Sequence, residues 1–439
     1  MTAPPARSRQ AHRLAALDRA APLRLAGRLT QASGLALEAA MAGVRLGDLV
    51  EVARPGRPLL AEVVGLREER AVLLPLGDPT GVGLEAEVGA RGAPLAVGVG
   101  EGLLGRVLDG LGHPIDGRPA PAGLEPWPVD RPPPAPLDRR RVVEPLPLGL
   151  RALDGLLTTG RGQRMGIFAA AGVGKSMLLG QVARGAAADL SVIAFIGERG
   201  REVREFVEEA LGPAGLARSV VVVATSDAPA LVRLRAAHVA TAIAEWFAER
   251  GAEVLFLLDS ITRFARAQRE VGLAAGEPPA RQGYPASVFQ ALPRLLERTG
   301  NRARGGITAF YTVLVAGNDL DEPIADEVRG ILDGHVVLDR RLAERGHFPA
   351  VDVLGSVSRV MPLVIGEGPR RAAARVRSLL AALERSRELV QLGAYQAGSD
   401  PETDQALARR EALERFLRQG AGEVEPLEIT QARLAELAS

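Results

Sequence analysis

The 439 residues include no cysteine, which excludes a disulfide framework and any thiolate metal site. Aromatic residues make up only 3%, so the hydrophobic 47% must build its core mainly from alanine, leucine and valine. No long block carries charge of one sign, and the formal net charge is +1. That excludes a broad electrostatic face for duplex DNA. Apolar runs such as residues 254–258 are far too short to span a bilayer. Arg7, Arg9 and Arg13 are not followed by the apolar core of a secretory signal. We therefore expect a soluble, cytoplasmic chain of two or three domains, at about 150 residues per domain. Lysine is nearly absent as well: of the 54 basic residues, Lys175 is the only one that is not arginine.

Residues 1–22 read as an N-terminal tail, either a docking helix (Ala11, Leu14, Ala15 and Asp18 sit at near-helical spacing) or disordered. Residues 23–97 carry short apolar runs broken by glycine and charge, which predicts a small β-barrel domain. Residues 98–147 read as a connector, glycine-rich over 98–117 and proline-rich and extended over 119–147. Apolar segments at 165–168, 192–196, 220–224, 254–258 and 307–313 then alternate with helix-like stretches. That order predicts a mostly parallel sheet covered by helices, an α/β core belonging to a domain over 98–366. Past residue 367 the strand pattern stops, and helices over 372–392 and 401–417 suggest a C-terminal helical domain over 367–439.

The strongest local signal is Ala169-Ala170-Ala171-Gly172-Val173-Gly174-Lys175-Ser176, between the segment 165–168 and a helix starting near Lys175. Strand, glycine loop and helix are the parts of a P-loop. Main-chain N–H groups from Ala170, Ala171, Gly172, Val173 and Gly174 would face phosphate oxygens, with Met177 on the first helical turn. Lys175 would lie on the β- and γ-phosphates of ATP, and the Ser176 hydroxyl on Mg²⁺. Ala169 stands where the full pattern has glycine, which is tolerable if its backbone angles are ordinary. The strand 254–258 ends in Asp259, a second candidate Mg²⁺ residue. An acid at a strand end often only caps a turn; its pairing with Lys175 gives it the metal reading. The strand 192–196 runs into Gly197-Glu198-Arg199-Gly200-Arg201-Glu202. Glu198 there is placed to activate water, and Arg199 to orient a neighbour or touch phosphate. These charges equally describe a solvated helix start, with Glu202 and Glu205 as first-turn acids.

The run from Gly197 through Phe206 resembles the type III secretion ATPases, flagellar and injectisome, which are relatives of the catalytic β subunit of rotary ATP synthase. The likeness continues through Ala224-Thr225-Ser226-Asp227-Ala228-Pro229, Asp259-Ser260-Ile261-Thr262-Arg263-Phe264-Ala265, Gly276-Glu277-Pro278-Pro279 and Ile324-Ala325-Asp326-Glu327-Val328-Arg329. It spans about residues 23 to 415. The resemblance implies a RecA-like P-loop core with an N-terminal β-barrel and a C-terminal helical domain. It implies a homohexamer with ATP between subunits, working with stator and stalk proteins and chaperone–cargo complexes, peripheral to the inner membrane. It places Glu198 on the catalytic glutamate, Phe348 on the ring that packs on adenine, and Arg359 on an arginine finger acting in trans. Phe348 stands where relatives usually carry tyrosine, and Ala316 and Asn318 where they more often carry acids.

The function implied is release of chaperones from cargo, with unfolding and secretion; Val353-Leu354-Gly355-Ser356 favours an injectisome over a flagellar apparatus. A non-catalytic rotary subunit would usually carry glutamine at Glu198. An RNA translocase such as termination factor Rho would need stacking aromatics in its barrel. Residues 23–97 contain no Phe, Tyr or Trp, so no nucleic acid partner is expected.

Overall fold

The computed structural model describes residues 25–68, 70–315 and 320–439. The tail 1–22 and the departures at Ala316 and Asn318 lie outside the described residues. Contacts divide the chain into two compact units. One runs through Leu95 and includes Ala274–Gly276; the other holds Ala96–Leu273 and Glu277–Ser439.

In the first unit, strands β1 (Ala26–Ser33), β2 (Ala36–Ala40), β3 (Asp48–Val52), β4 (Leu59–Arg67), β5 (Arg70–Pro75) and β6 (Glu87–Pro94) close in the order β1-β2-β5-β4-β3-β6. Closure pairs β1 with β6 and leaves no free edge to template association. With no aromatic ring available, the interior is filled by Leu29, Leu37, Val50, Val52, Val63, Leu73 and Val88.

The second unit opens with β7 (Ala96–Val99), β8 (Arg106–Asp109) and β9 (Glu125–Pro128). The core strands are β10 (Arg164–Ala169), β11 (Leu190–Glu198), β12 (Ser219–Thr225), β13 (Glu253–Asp259), the short β14 (Gly300–Asn301), β15 (Gly306–Leu314), β16 (Gly334–Leu338) and β17 (Val351–Ser358). With β8 they form a nine-stranded sheet in the order β17-β16-β10-β15-β13-β11-β12-β8, with β14 paired to β15. All neighbours are parallel except β17 on β16 and β14 on β15. Every residue of β11 is buried, as expected of a parallel strand covered on both faces. This is the mostly parallel P-loop core with barrel and helices that the sequence predicted.

Four sheet strands were not legible in the sequence, among them the two-residue β14. β8 is four residues inside the glycine-rich stretch read as connector, and it pairs with β12. β16 is also short. β17 is interrupted: His335 faces Val357 while Val337 faces Asp352, so residues 353–356 bulge out and break the apolar pattern.

The principal helices are α1 (Lys175–Gly185), α2 (Ala230–Glu249), α3 (Ile261–Ala274), α4 (Glu367–Gln391), α5 (Pro401–Leu417) and α6 (Leu427–Ala438). Asp400 caps α5 by accepting from the Glu402 N–H at 3.1 Å, with Pro401 in the first turn, where its missing N–H costs nothing. The third C-terminal helix, α6, was not anticipated. No helix among the described residues is long and apolar enough to cross a membrane.

The proline-rich stretch is anchored through buried charge. Arg298, 2% exposed, donates to both oxygens of Glu245 at 3.0 and 2.8 Å and to the Val129 carbonyl at 2.9 Å. Arg235 pairs with Asp130 at 2.8 Å, and the Arg131 guanidinium lies 4.5 Å from the Trp127 ring centre. Breaking a buried pair strands its partner, so Arg298→Met is expected to destabilise this unit by about 3–5 kcal/mol, softened by Arg302, which stays near Glu245. Arg410→Met, at an exposed pair with Glu414, should cost below about 1 kcal/mol. Denaturant unfolding followed by tryptophan emission checks both, because the only two tryptophans, Trp127 and Trp246, flank this network.

Candidate functional site

Three parallel strands of the sheet, β10, β13 and β11, with β15 between the first two, release their chains at the same edge. The β10 strand ends at Ala169, in ordinary extended conformation, so the methyl that replaces glycine there is accommodated. The loop then turns into α1, whose first residue is Lys175. Gly174 takes φ 89° at the helix start and no side chain caps it, so the first-turn N–H groups are left for an outside acceptor. A Cβ on Gly174 would come within 3.0 Å of the Phe348 ring. Glycine at 174 thus serves both the turn and the close approach of that ring.

Asp259 ends β13 and Glu198 ends β11. Lys175 Nζ lies 2.5 Å from Asp259 Oδ1 and 3.5 Å from Glu198 Oε1. Burial alone would lower the lysine pKa, but the charges of Asp259 and Glu198 outweigh it and hold the ammonium above its ordinary value. It is a cation at neutral pH. Thr312 on β15 donates to Asp259 Oδ1 at 2.6 Å, while Oδ2 accepts no hydrogen bond from the described residues.

Sequence reasoning did not assign Arg263 and Thr312. Arg263 sits in the first turn of α3, four residues beyond Asp259. It forks onto Glu198, with Nε 3.1 Å from Oε1 and Nη2 3.4 Å from Oε2. A basic residue one turn after a strand-end acid was the available signal. A cavity of about 980 Å³ opens over this edge, lined by Gly172, Lys175, Ser176, Glu198, Arg263 and Gly422 among others. Ala170, Ala171 and Met177 also line it, whereas Val173 is buried under the loop.

Arg199 lines the same cavity without touching the Lys175 cluster, and Arg359 lies apart. The Arg199 side chain is largely exposed and reaches Glu202 at 3.4 Å. Arg359 follows β17, which runs against its neighbours. Its N–H donates to the Asp333 carbonyl, and the Asp333 N–H to the Arg164 carbonyl at the start of β10. Six residues of strand, roughly 20 Å, separate that start from the loop at its end. Arg359 therefore stands at the opposite edge of the sheet from the Lys175 of its own chain, exposed and without a side-chain partner among the described residues.

A hard, all-oxygen set of the Ser176 hydroxyl and Asp259 Oδ2 fits Mg²⁺, which completes its shell with water and substrate phosphate rather than a protein cage. Correspondingly, no cluster of three or more His, Cys, Asp or Glu able to hold a metal occurs among the described residues.

Comparison with known proteins places this arrangement in context. The family described as ATP synthase alpha/beta family, nucleotide-binding domain, matches residues 149–358, and the T3SS EscN ATPase C-terminal domain matches residues 366–436. The chain is 51% identical to the flagellum-specific ATP synthase of Bacillus subtilis, covering 94% of each chain. It is 52% identical to the type 3 secretion system ATPase of Xanthomonas euvesicatoria, covering 92% of each. The solved structure of the assembled ATPase EscN from the enteropathogenic E. coli type III secretion system superposes with a TM-score of 0.90 at 44% identity, over 94% of this chain and 100% of that one.

Gly174→Ala is expected to push the loop off its position, because a left-handed alanine costs about 1–2 kcal/mol even before it meets the Phe348 ring. Affinity for a fluorescent nucleotide should fall about tenfold or more. The unliganded melting temperature should change little; titration and thermal unfolding check the two halves.

Proposed function

The chain belongs to the export ATPases of type III secretion and flagellar systems, within the ATP synthase alpha/beta family, and from that premise we propose how its residues perform hydrolysis and what the hydrolysis serves. The observation that carries the reading is the convergence of Asp259 and Glu198 on Lys175 at the end of the glycine loop.

ATP lies with its phosphates on the main-chain N–H groups of residues 170–174 and the start of α1, where the helix dipole favours anions. Lys175 supplies a fixed positive charge to the β- and γ-phosphates. Ser176 and Asp259 would hold Mg²⁺, which when bound would neutralise charge building up on the phosphate oxygens. Glu198 accepts a hydrogen bond from water and takes its proton as the water oxygen bonds to the γ-phosphorus. The bond from that phosphorus to the bridging oxygen breaks, and ADP and phosphate leave. Arg263, forked on both oxygens of Glu198, fixes that carboxylate in place and adds positive charge beside the γ-phosphate. Arg199 has a secondary role, orienting the helix start beside Glu198. Phe348 stacks on adenine.

Arg359 acts on the ATP of a neighbouring copy. The support is geometric: an arginine at the far edge of its own sheet is useless to its own loop but available to another subunit's. This requires a ring, which we read as a homohexamer. The relative EscN has been solved as an assembled ATPase, both alone and in complex with its central stalk EscO. By analogy we propose stalk and stator partners for this chain, at the cytoplasmic face of the inner membrane. The motor would release chaperones from cargo and promote cargo unfolding and secretion. We read the sequence Val353-Leu354-Gly355-Ser356 as that of an injectisome apparatus; the identity of a co-purified chaperone separates that from a flagellar one.

Glu198→Gln should keep Mg-ATP affinity and lose turnover by about 10²–10⁴-fold. Near-normal steady-state turnover in that variant would remove Glu198 from this role. Arg359→Ala should leave nucleotide binding by the isolated subunit intact and abolish the rate gain on assembly, about 10³–10⁵-fold for a finger. If specific activity of the variant still climbs with protein concentration, the trans assignment is wrong.

A further inference from the structure

We propose that Gln419 is a positioning residue for the base-binding wall of the nucleotide pocket. The inference rests on the nucleotide reading above and extends it into the C-terminal helical segment.

After α5 the chain turns back toward the P-loop. Gln419 is buried, 4% exposed, and both ends of its amide are used. Oε1 accepts from the Arg151 N–H at 2.9 Å; Nε2 donates to the Gly149 carbonyl at 2.7 Å and to the Glu423 carbonyl at 3.0 Å. Its main-chain N–H donates to the Phe348 carbonyl at 2.9 Å. The preceding residue, Arg418, reaches His347 Nδ1 at 3.4 Å. Two consecutive residues thus clasp two consecutive residues of the loop that presents Phe348 to Gly174.

The following residues form part of the pocket itself. Ala421 and Gly422 line the cavity. Their stretch is tied to α1, since Gln181 donates to the Gly420 carbonyl at 3.0 Å and Arg184 to the Ala421 carbonyl at 2.5 Å. The far end of α1 is fixed to the same point as Gln419. A Cβ on Gly185 would lie 2.1 Å from the Leu148 carbonyl oxygen, and the Gly149 N–H is held by Asp154 at 2.8 Å. The Gln419 side chain therefore ties residues 149 and 151, at the entry to the nucleotide core, to Glu423 just past the cavity-lining segment, and the main-chain N–H of the same residue holds the Phe348 loop.

None of these bonds touches Lys175, Asp259 or Glu198, which are set by β10, β13 and β11. Loosening Gln419 should move the wall against which the base rests and leave the phosphate end in place. The expected signature is a change in KM with little change in kcat, as for a contact made equally in ground and transition states.

The test uses the full chain. Gln419→Met keeps the length and removes both amide functions. KM for ATP should rise about 5- to 20-fold, with kcat within about twofold of the parent. Phe348→Ala should also raise KM, and the double variant should be no worse than the poorer single one, because one residue acts through the other. An unchanged KM in Gln419→Met beside a raised KM in Phe348→Ala overturns this inference and leaves the base-stacking reading standing. An unchanged KM in Phe348→Ala removes that reading, and this inference with it. A fall in kcat matching the fall in kcat/KM marks general disruption and also overturns it. Should Gln419→Met fail to fold, hydrogen exchange on the parent protein decides: Mg-ADP should protect the Gln419 amide together with the 347–350 loop. Protection confined to the P-loop overturns the proposal.

Discussion

The site depends on one ammonium shared by two carboxylates. Lys175 is the sole lysine in the chain, and its Nζ lies between Asp259 and Glu198 in a place where all three side chains are largely shielded from water. An isolated charge of either sign there would pay heavily in lost hydration. Together they form a triad in which each charge justifies the burial of the others. The pair distances also fix the mutual spacing of three strand ends, because a shift of β10, β11 or β13 would open one of the contacts. Arginine, broader and planar, does not present a compact point charge at the end of a four-carbon stem. That accounts physically for a lysine persisting in a chain that otherwise uses arginine throughout.

Around that triad the molecule separates tasks by the direction of its strands. Parallel strands deliver phosphate-handling groups to one edge of the sheet. The single antiparallel strand at the border, β17, delivers Arg359 to the other edge. A chain folded this way carries half of a site at each edge, and in the proposed ring the two halves come from different copies. The π-helical stretch Phe206–Leu211, which contributes Phe206, Glu209, Ala210 and Leu211 to the cavity lining, adds a local irregularity on the approach to the same pocket.

The C-terminal helices are more than a cover. Val376, Leu379, Leu413, Phe416 and Leu434 belong to the same hydrophobic cluster as Ile167 and Val182 of the P-loop strand and helix. Buried Arg151 adds polar ties, donating to the Phe416 carbonyl at 2.8 Å and lying 3.3 Å from Glu425. Movement of these helices is therefore mechanically coupled to the wall of the nucleotide cavity.

Much of this was legible in the chain alone, for a definable reason. The glycine loop, the following helix and the acids at strand ends are contiguous patterns whose geometry is local, so Gly172, Gly174, Lys175, Asp259 and Glu198 could be singled out by spacing. The five strands with unbroken apolar runs were legible because burial on both faces leaves no room for polar residues. What tertiary structure decided was pairing and distance. β8 and β16 are too short to carry a pattern, and β17 hides its strand behind a bulge. Arg263 acquires its partner only because β13, which leads into α3, pairs with β11. Arg199, adjacent to Glu198 in sequence, points out to Glu202 instead. Gln419 lies 71 residues beyond Phe348 and 270 beyond Gly149, and nothing in its neighbours announces that it meets both. Sequence encodes the backbone's local preferences; which side chains converge is set by the packing of distant segments, and that is fixed only when the whole core closes.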